Sequence, residues 1–491
     1  ADAVARNPQT VQNARLWDPQ LALPQTLENI QSLRTYYQFY PNEVAVDRYQ
    51  LGGQYLQLLL AARELKPENL PPEVKNWVNL KLQYTHGYGV VAARANEATT
   101  QGYPVLTLKD IPPAGTPEVT QPGIYFGRHT TDYVLADSKQ FEFDYPLETD
   151  KFTHWTGHTG VPLTSGLRSL AFAVRFGDIN MLISPQLTAQ TQVLFNRAVQ
   201  DRVAALAPFL RFDQDPYVVV VDGRVYWILD GFTVTDHYPY SEMAPDQGGA
   251  FYNVNYARNS VKVVVDAYDG TTTFYQIDPK DAIANTYGAI FPGLLKPFSQ
   301  MPAGLQAHIR YPRDLFNLQA ERFTLFHMTD PRDFFSRLDL WNIAKENQQQ
   351  ASGPLPMRPF YVVSRLPGES KVEFVTILPY TPNGKTTGLR NSLRFPLPQG
   401  QPGGRPPASG VEHRSGPGDQ VAIRAAQCRR LPGNSWQPAG AADREFPPLH
   451  RADLPGGDQR PDSAAEESDR RHRPERGDGG HARQGARVPA R

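Results

Sequence analysis

The sequence predicts an α+β fold: one large mixed domain of helices and antiparallel hairpins, followed by a disordered tail. Three observations carry this expectation. Pairs of β-branched and aromatic runs flank glycine-containing turns at several points. Stretches of helical period lie among them without the regular alternation of a βαβ protein. Near residue 385 the composition changes abruptly.

Taken in order, Thr26 is placed to cap a helix with Leu27, Ile30, Leu33 and Tyr37 on one face. Residues 44–49 and 54–58 flank Gly52-Gly53, a pair suited to the positive φ of a primed hairpin turn. Pro71-Pro72 opens a predicted helix through Trp77, Leu80 and Leu82, broken by the glycines of Thr85-His86-Gly87-Tyr88-Gly89. The middle is loop-rich around Pro112-Pro113, with short strands expected at 124–126 and 141–143. The clearest helical pattern starts near Thr188 and carries Val193, Leu194, Ala198, Val203 and Leu206 as far as Pro208. Two strong hairpins follow, 218–221 with 225–229 about Asp222-Gly223, and 261–265 with 272–277 about Asp269-Gly270. Short helices are expected at 315–326 and 332–341, and a last strand pair around Pro367-Gly368.

The chain has 491 residues, which suits one large domain with extensions or two domains. Lysine plus arginine and aspartate plus glutamate number 50 each, so no net charge steers the protein toward nucleic acid. A single cysteine, Cys428, excludes a disulfide framework and a thiolate metal site. No apolar run reaches the ~18 residues of a membrane span. All 23 tyrosines stand at or before Tyr380, and no lysine follows Lys385, while arginine, glycine, proline and alanine become abundant. The expected organisation is a helix and hairpin subdomain over 1–95, a main α+β domain over 96–388, and a disordered tail over 389–491.

A series of ordered strings resembles one family. They include Leu16-Trp17-Asp18, Val46-Asp47-Arg48-Tyr49, Tyr84-Thr85-His86-Gly87-Tyr88-Gly89 and Ile124-Tyr125-Phe126-Gly127. Further along come Phe143-Asp144-Tyr145-Pro146, Phe176-Gly177-Asp178-Ile179-Asn180, His308-Ile309-Arg310-Tyr311-Pro312, His327-Met328-Thr329-Asp330-Pro331 and Leu366-Pro367-Gly368-Glu369. The chain from Leu16 to Pro382 is similar to the uncharacterised protein family 0182, multi-pass membrane proteins of bacteria. The resemblance implies several membrane helices ahead of this region, absent here, and places the region outside the cytoplasm. The missing transmembrane part is thus an expected partner, together with an envelope component or peptide. No activity and no cofactor come with the family. The tail from about Leu389 is expected to be an out-of-frame reading of the gene. Moving one nucleotide forward permits family-like strings over 395–400, 405–412 and 413–421. On that reading the fold lacks its last strands, and a sheet edge stays unpaired after Tyr380.

His86 is the first site candidate, a histidine beside two glycines where a ligand can reach it; helix capping is the bland alternative. A hydrolase reading adds His308 and His327 with Asp330 as a nearby carboxylate. Tyr88, His237, Tyr240 and Arg310 offer aromatic and cationic groups for a glycan or peptide, against the alternative of a buried tyrosine cluster. His154 and His158 have the four-residue spacing of helical metal ligands, but Trp155 replaces the acid and Gly157 and Gly160 oppose a helix, so no metal site is assigned. Asp222, Asp230, Asp266, Asp269 and Asp278 recur at turns and strand ends, where backbone bonding competes with cation binding. Gly384-Lys385-Thr386 imitates a phosphate loop, but Pro379 stands where its first glycine is needed.

Overall fold

A computed structural model describes residues 8–20, 22–244, 249–346, 353–365, 372–383 and 391–396, and beyond them only the short strands 412–413, 429–430 and 436–437. All but the last stretch of the chain, from residue 442 onward, falls in one unit. The mixed, mainly antiparallel α+β architecture is as the sequence predicts.

Helix α1 (Ala22–Gln31) precedes a hairpin of β1 (Ala45–Leu51) and β2 (Gln54–Ala62), turned by Gly52 and Gly53 at φ +57° and +77°. The sheet continues through β3 (Val90–Ala98) and β4 (Pro104–Lys109) to Ala114–Gly115. Both its faces are covered. Leu58, Leu60, Val90 and Ala92 enter the largest core cluster, while Leu59, Ala61, Val91 and Ala93 meet Leu23 and Leu27 of α1. This double burial explains why β2 is almost continuously apolar.

Helices α2 (Gly166–Phe176) and α3 (Val199–Leu206) lead to a second sheet of β5 (Tyr217–Val221), β6 (Gly223–Thr235), β7 (Tyr256–Asp266) and β8 (Thr272–Gln276). Asp222 and Gly223, at φ +50° and +75°, make the tight turn between β5 and β6. Val119–Gln121 and Leu295–Pro297 add parallel pairings at β6 and β8. Val218, Trp227, Val263 and Phe274 share one core with the first sheet. Helices α4 (Ala282–Ile290) and α5 (Arg313–Phe326) follow. A third sheet joins β9 (Phe360–Arg365), β10 (Val372–Pro382) and β11 (Asn391–Pro396), with Trp341–Ile343 on β10.

Several elements differ from expectation. The first helix spans α1 and not 26–37: Leu33 has φ +61°, and Tyr37 pairs with Leu65 in a short strand. The segment after Pro71-Pro72 is a 3₁₀ turn, Pro72–Val74, and a π turn, Asn79–Gln83, because the Asn76 and Asn79 side chains bond local backbone. The helix expected from Thr188 is shorter, and Gln192–Leu194 is a strand. Val193 and Leu194 face different cores, a period of two that counts as helical only when both faces are apolar. The 332–341 helix stops at Ser336, where Arg337 is left-handed, and Trp341 begins a strand. The sheet edge after Tyr380 is paired, Tyr380 with Asn391 and Val375 with Pro396, and not left open as expected. The Pro367-Gly368 turn, Gly384-Lys385-Thr386 and most of the expected disordered tail lie outside the described residues.

Charge is buried where the sheets meet. Asp230 and Lys262, opposite each other on β6 and β7, form an ion pair, and Lys262 Nζ also donates to the Arg310 carbonyl at 3.0 Å. Both side chains are almost wholly inaccessible. Lys262→Ala strands the Asp230 carboxylate and is expected to cost about 3–5 kcal/mol in urea unfolding. The exposed Lys280→Ala is the control and should leave the midpoint unchanged. A Lys262→Ala midpoint equal to that control would refute the assignment.

Candidate functional site

The Thr85–Gly89 segment is held by backbone that tolerates no side chain. A Cβ on Gly87 would strike the backbone of Arg63, Glu64 and Leu65, and Gly89 takes φ +78° with the Pro113 ring against it. The glycines serve close approach and turning. Gly87-Tyr88 pairs with Gly123-Ile124, and Arg197 ties the two segments by donating to the Thr85 carbonyl and, at 2.7 Å, to the Tyr125 carbonyl. Burial pushes the Arg197 guanidinium down to about 10, with Tyr125 and nearby carboxylates opposing.

This packing fixes His86. Its ring stacks on Tyr125 at 4.2 Å between centroids, and Nδ1 lies 2.9 Å from the Thr85 hydroxyl. Thr85 gives its one proton to Glu142 Oε2 at 2.9 Å, so it accepts from the imidazole, and Nδ1 carries the hydrogen. Glu142 also accepts from Tyr125 Oη at 2.5 Å and from the backbone N–H groups of Asp137 and Trp155 at 3.0 Å. A fully bonded carboxylate thus sets the tautomer, and Nε2 is left with a lone pair. Burial and the Glu142 charge hold the Tyr125 phenol well above its usual range.

Nε2 faces Asp144 Oδ1 at 3.7 Å, too far for a direct hydrogen bond. The two sit in a cavity of about 240 Å³ whose walls include Tyr88, Gln121, Tyr125, Thr153 and Tyr268. Among its lining residues Asp144 is the one acid, and there is no lysine or arginine. Burial, with Asp144 and Tyr145 nearby, raises the Tyr88 phenol, which therefore stays protonated and able to donate. The cavity presents two acceptors, a phenol and flat aromatic walls. That set suits a hydroxyl-rich or amine-bearing ligand.

Of the residues singled out from sequence, His86 and Tyr88 come together here. His308 does not join them: its Nδ1 bonds Asp47 Oδ2 at 2.8 Å, buried beside Tyr49. Burial alone would raise Asp47, but His308 and Arg48 hold its carboxyl below the ordinary range. Arg310 is buried between the rings of Tyr217 and Tyr361 and bonds Asp215 at 2.6 Å, so it is no surface cation. His327 donates through Nδ1 to the Phe323 carbonyl at 2.9 Å and stacks on Trp341, with Asp339 at 3.8 Å. Asp330 caps the helix Pro331–Ser336 through the N–H groups of Arg332 and Asp333. Among the described residues no hydrogen bond, ion pair or ring contact joins any two of His86, His308 and His327.

His237 and Tyr240 are exposed near the β6–β7 connection, His237 beside Asp236. His154 stands 3.7 Å from Asp137, and the His158 backbone N–H bonds Asp269 at 2.5 Å; neither is helical. Asp266 and Asp278 take Arg224 and Arg258, and Asp222 occupies a left-handed turn position. Among the described residues no group of three or more metal-ligating side chains is gathered. A further buried acid, Asp213, is pushed up to about 8 by burial and by the carboxylates of Asp314, Asp230 and Asp215. The stability linked to it is complete below the ordinary carboxyl range and lost as pH rises through about 8.

Asp144, Gln121, Thr153 and Tyr268 were not picked out as site residues from sequence. Asp144 alone left a signal, within the string Phe143-Asp144-Tyr145-Pro146.

The model of the uncharacterised protein family UPF0182 matches residues 1–392. A UPF0182 protein of Pelotomaculum thermopropionicum is 44% identical over 388 residues, covering 78% of this chain and 41% of the relative. Those of Moorella thermoacetica and Sulfurovum sp. are 46% and 44% identical over 385 and 386 residues, each covering 77% of this chain and 41% of the relative. The chain therefore spans about two fifths of the length of the curated relatives it matches. No solved structure matches it. No helix among the described residues is long and apolar enough to cross a membrane.

The tautomer of His86 is directly measurable. Imidazole ¹⁵N shifts of the native protein should show a protonated Nδ1 and a bare Nε2, and Thr85→Val should raise the population of the Nε2–H form. A native Nε2–H form refutes the relay from Glu142.

Proposed function

This chain belongs to the uncharacterised protein family UPF0182, and from that premise we propose that it is an extracytoplasmic binding module of a membrane protein. Its ligand seat is the His86 cleft. The observation that carries this is the oriented, bare Nε2 facing Asp144 across a gap of 3.7 Å in a cavity walled by tyrosines. Such a gap fits a ligand ammonium that donates to both acceptors, or two neighbouring hydroxyls that donate to one each. The extracytoplasmic location is supported by the family resemblance, and the ligand is a hydroxyl-rich or amine-bearing component of the envelope. A second reading, a hydrolase with His86 as general base, is favoured by the same relay through Thr85 and Glu142. Against it, no serine, threonine or tyrosine hydroxyl bonds to Nε2 among the described residues.

Saturation-transfer NMR with glucosamine, galactose and choline tests the binding reading. At least one probe should give signal with the native chain, and Asp144→Asn and His86→Ala should each reduce it about tenfold or more. Equal signal in the native protein and both variants overturns the cleft as the seat. Peptidase, glycosidase, esterase or phosphatase turnover abolished by His86→Ala transfers the site to the hydrolase reading.

The tail from about Leu389 we infer to be an out-of-frame reading. Support comes from the family match ending at residue 392 and from the loss of tyrosine and lysine beyond Lys385. Strand β11 begins just beyond Leu389 and pairs with β10, so the edge of β10 is covered by residues of the tail. Sequencing the coding DNA decides the matter: an unshifted frame encoding this tail sinks it.

A further inference from the structure

Helix α2 runs from a Ser165 cap to a left-handed Gly177 and is followed by the short helix Asn180–Ile183. One side of α2 is core: Phe172, Ala173 and Phe176 pack with Tyr133, Phe195 and Met181. The opposite side of a surface helix is ordinarily polar. Here it is apolar. Leu167, Leu170, Ala171 and Val174, at the spacings of one helical face, all point outward, with Leu167 78% and Val174 75% exposed. Ile179, Leu182 and Ile183, the last 68% exposed, extend the same patch.

The charges around it are one-sided. Arg168 and Arg175, seven residues apart, border the aliphatic stripe and are exposed. Arg168 donates to the Pro162 carbonyl at 2.8 Å, and Arg175 lies over the Phe195 ring at 5.0 Å. The one acid of this stretch, Asp178, turns inward, where it accepts from Trp77 Nε1 at 2.6 Å and from the Tyr133 hydroxyl. The outward face of these two helices is therefore aliphatic with two arginines at its border, and it carries no acid of its own.

We propose that this face of α2 and the Asn180–Ile183 helix docks onto an anionic lipid bilayer. Aliphatic side chains enter the acyl boundary while bordering arginines meet the phosphates, the pattern of an interfacial amphipathic helix. A second copy of the chain is the competing occupant, and it gives the bordering arginines no anionic partner from these helices. The assignment stands on this face alone and is independent of the His86 cleft.

The test is flotation of the full chain with phosphatidylcholine vesicles, with and without phosphatidylglycerol, and analytical ultracentrifugation without lipid. Binding is expected only with phosphatidylglycerol and should weaken with salt. Leu170→Glu/Val174→Glu, at exposed positions with folding checked by circular dichroism, should reduce it about tenfold or more. Arg168→Gln/Arg175→Gln, which keeps the aliphatic stripe, should remove the preference for phosphatidylglycerol. Absence of flotation, equal flotation of the Leu170/Val174 variant, or indifference to phosphatidylglycerol each overturns the proposal. A dimer in solution that this variant dissociates, with no vesicle binding, overturns it in favour of a second copy.

Discussion

The structure depends on neutralising charge at the place where its sheets converge. One short segment, His308–Arg310, does most of this. His308 bonds Asp47 of β1, and the Ile309 carbonyl accepts from Arg48 at 2.6 Å. The Arg310 carbonyl accepts from Lys262 of β7, while its guanidinium holds Asp215 and lies against Tyr361 of β9. Burial costs each of these ions several kcal/mol in effect, so each carboxylate is tolerable only with its cation in place. Asp215 shows the balance: burial raises its carboxyl, but Arg313, Arg310 and Arg128 together hold it below the ordinary range. Sheets one, two and three thus share a single charge-balanced contact, and none of their inner faces is complete without it.

The parts of this arrangement that were legible in sequence are the local ones. The hairpins about Gly52-Gly53, Asp222-Gly223 and Asp269-Gly270 were read correctly because a turn with positive φ names its own residues. The segment from Thr188 to Leu206 was misread because Val193 and Leu194 are both buried, on opposite sides, which erases the alternation that marks a strand. Helix α2 does carry amphipathic patterning, with Arg168, Ser169 and Arg175 on one side, but its apolar residues occupy the outward face as well as the inward one, so the pattern does not say which side is core. His308 and Arg310 look like surface groups in sequence. Asp47 and Asp215, which bury them, lie far away in the chain, and no pattern of spacing announces such a pairing.

At the candidate site the division is similar. Thr85-His86-Gly87-Tyr88-Gly89 stood out because two glycines around an aromatic mark unusual backbone, and the structure gives that backbone a reason in its contact with residues 63–65. The chemistry of His86 was not legible, since it comes from Glu142 and Asp144 on a neighbouring strand. The same strand supplies both carboxylates with different surroundings. Glu142 accepts four hydrogen bonds and is sealed in, whereas Asp144 is partly exposed to the cavity. One acid orients the imidazole and the other waits opposite it.

That contrast is the physical ground for treating the cleft as functional. Elsewhere the fold saturates its buried ions: Asp47, Asp215, Asp230 and Glu64 each take two or more partners. Among the described residues Gln38 Oε1, His154 Nδ1, Tyr217 Oη, Asn259 Oδ1, His327 Nε2 and Thr376 Oγ1 are buried without a hydrogen-bond partner, but none of them lines the cleft. In the cleft, an imidazole nitrogen, a carboxylate and a phenol converge on open space, and the packing around Arg197 and Gly87 keeps them from collapsing onto one another. These groups open onto the cavity, whereas the orphaned atoms elsewhere are sealed in protein. A ligand that donates to both Nε2 and Asp144 pairs the two acceptors at once, which is the physical content of the binding reading.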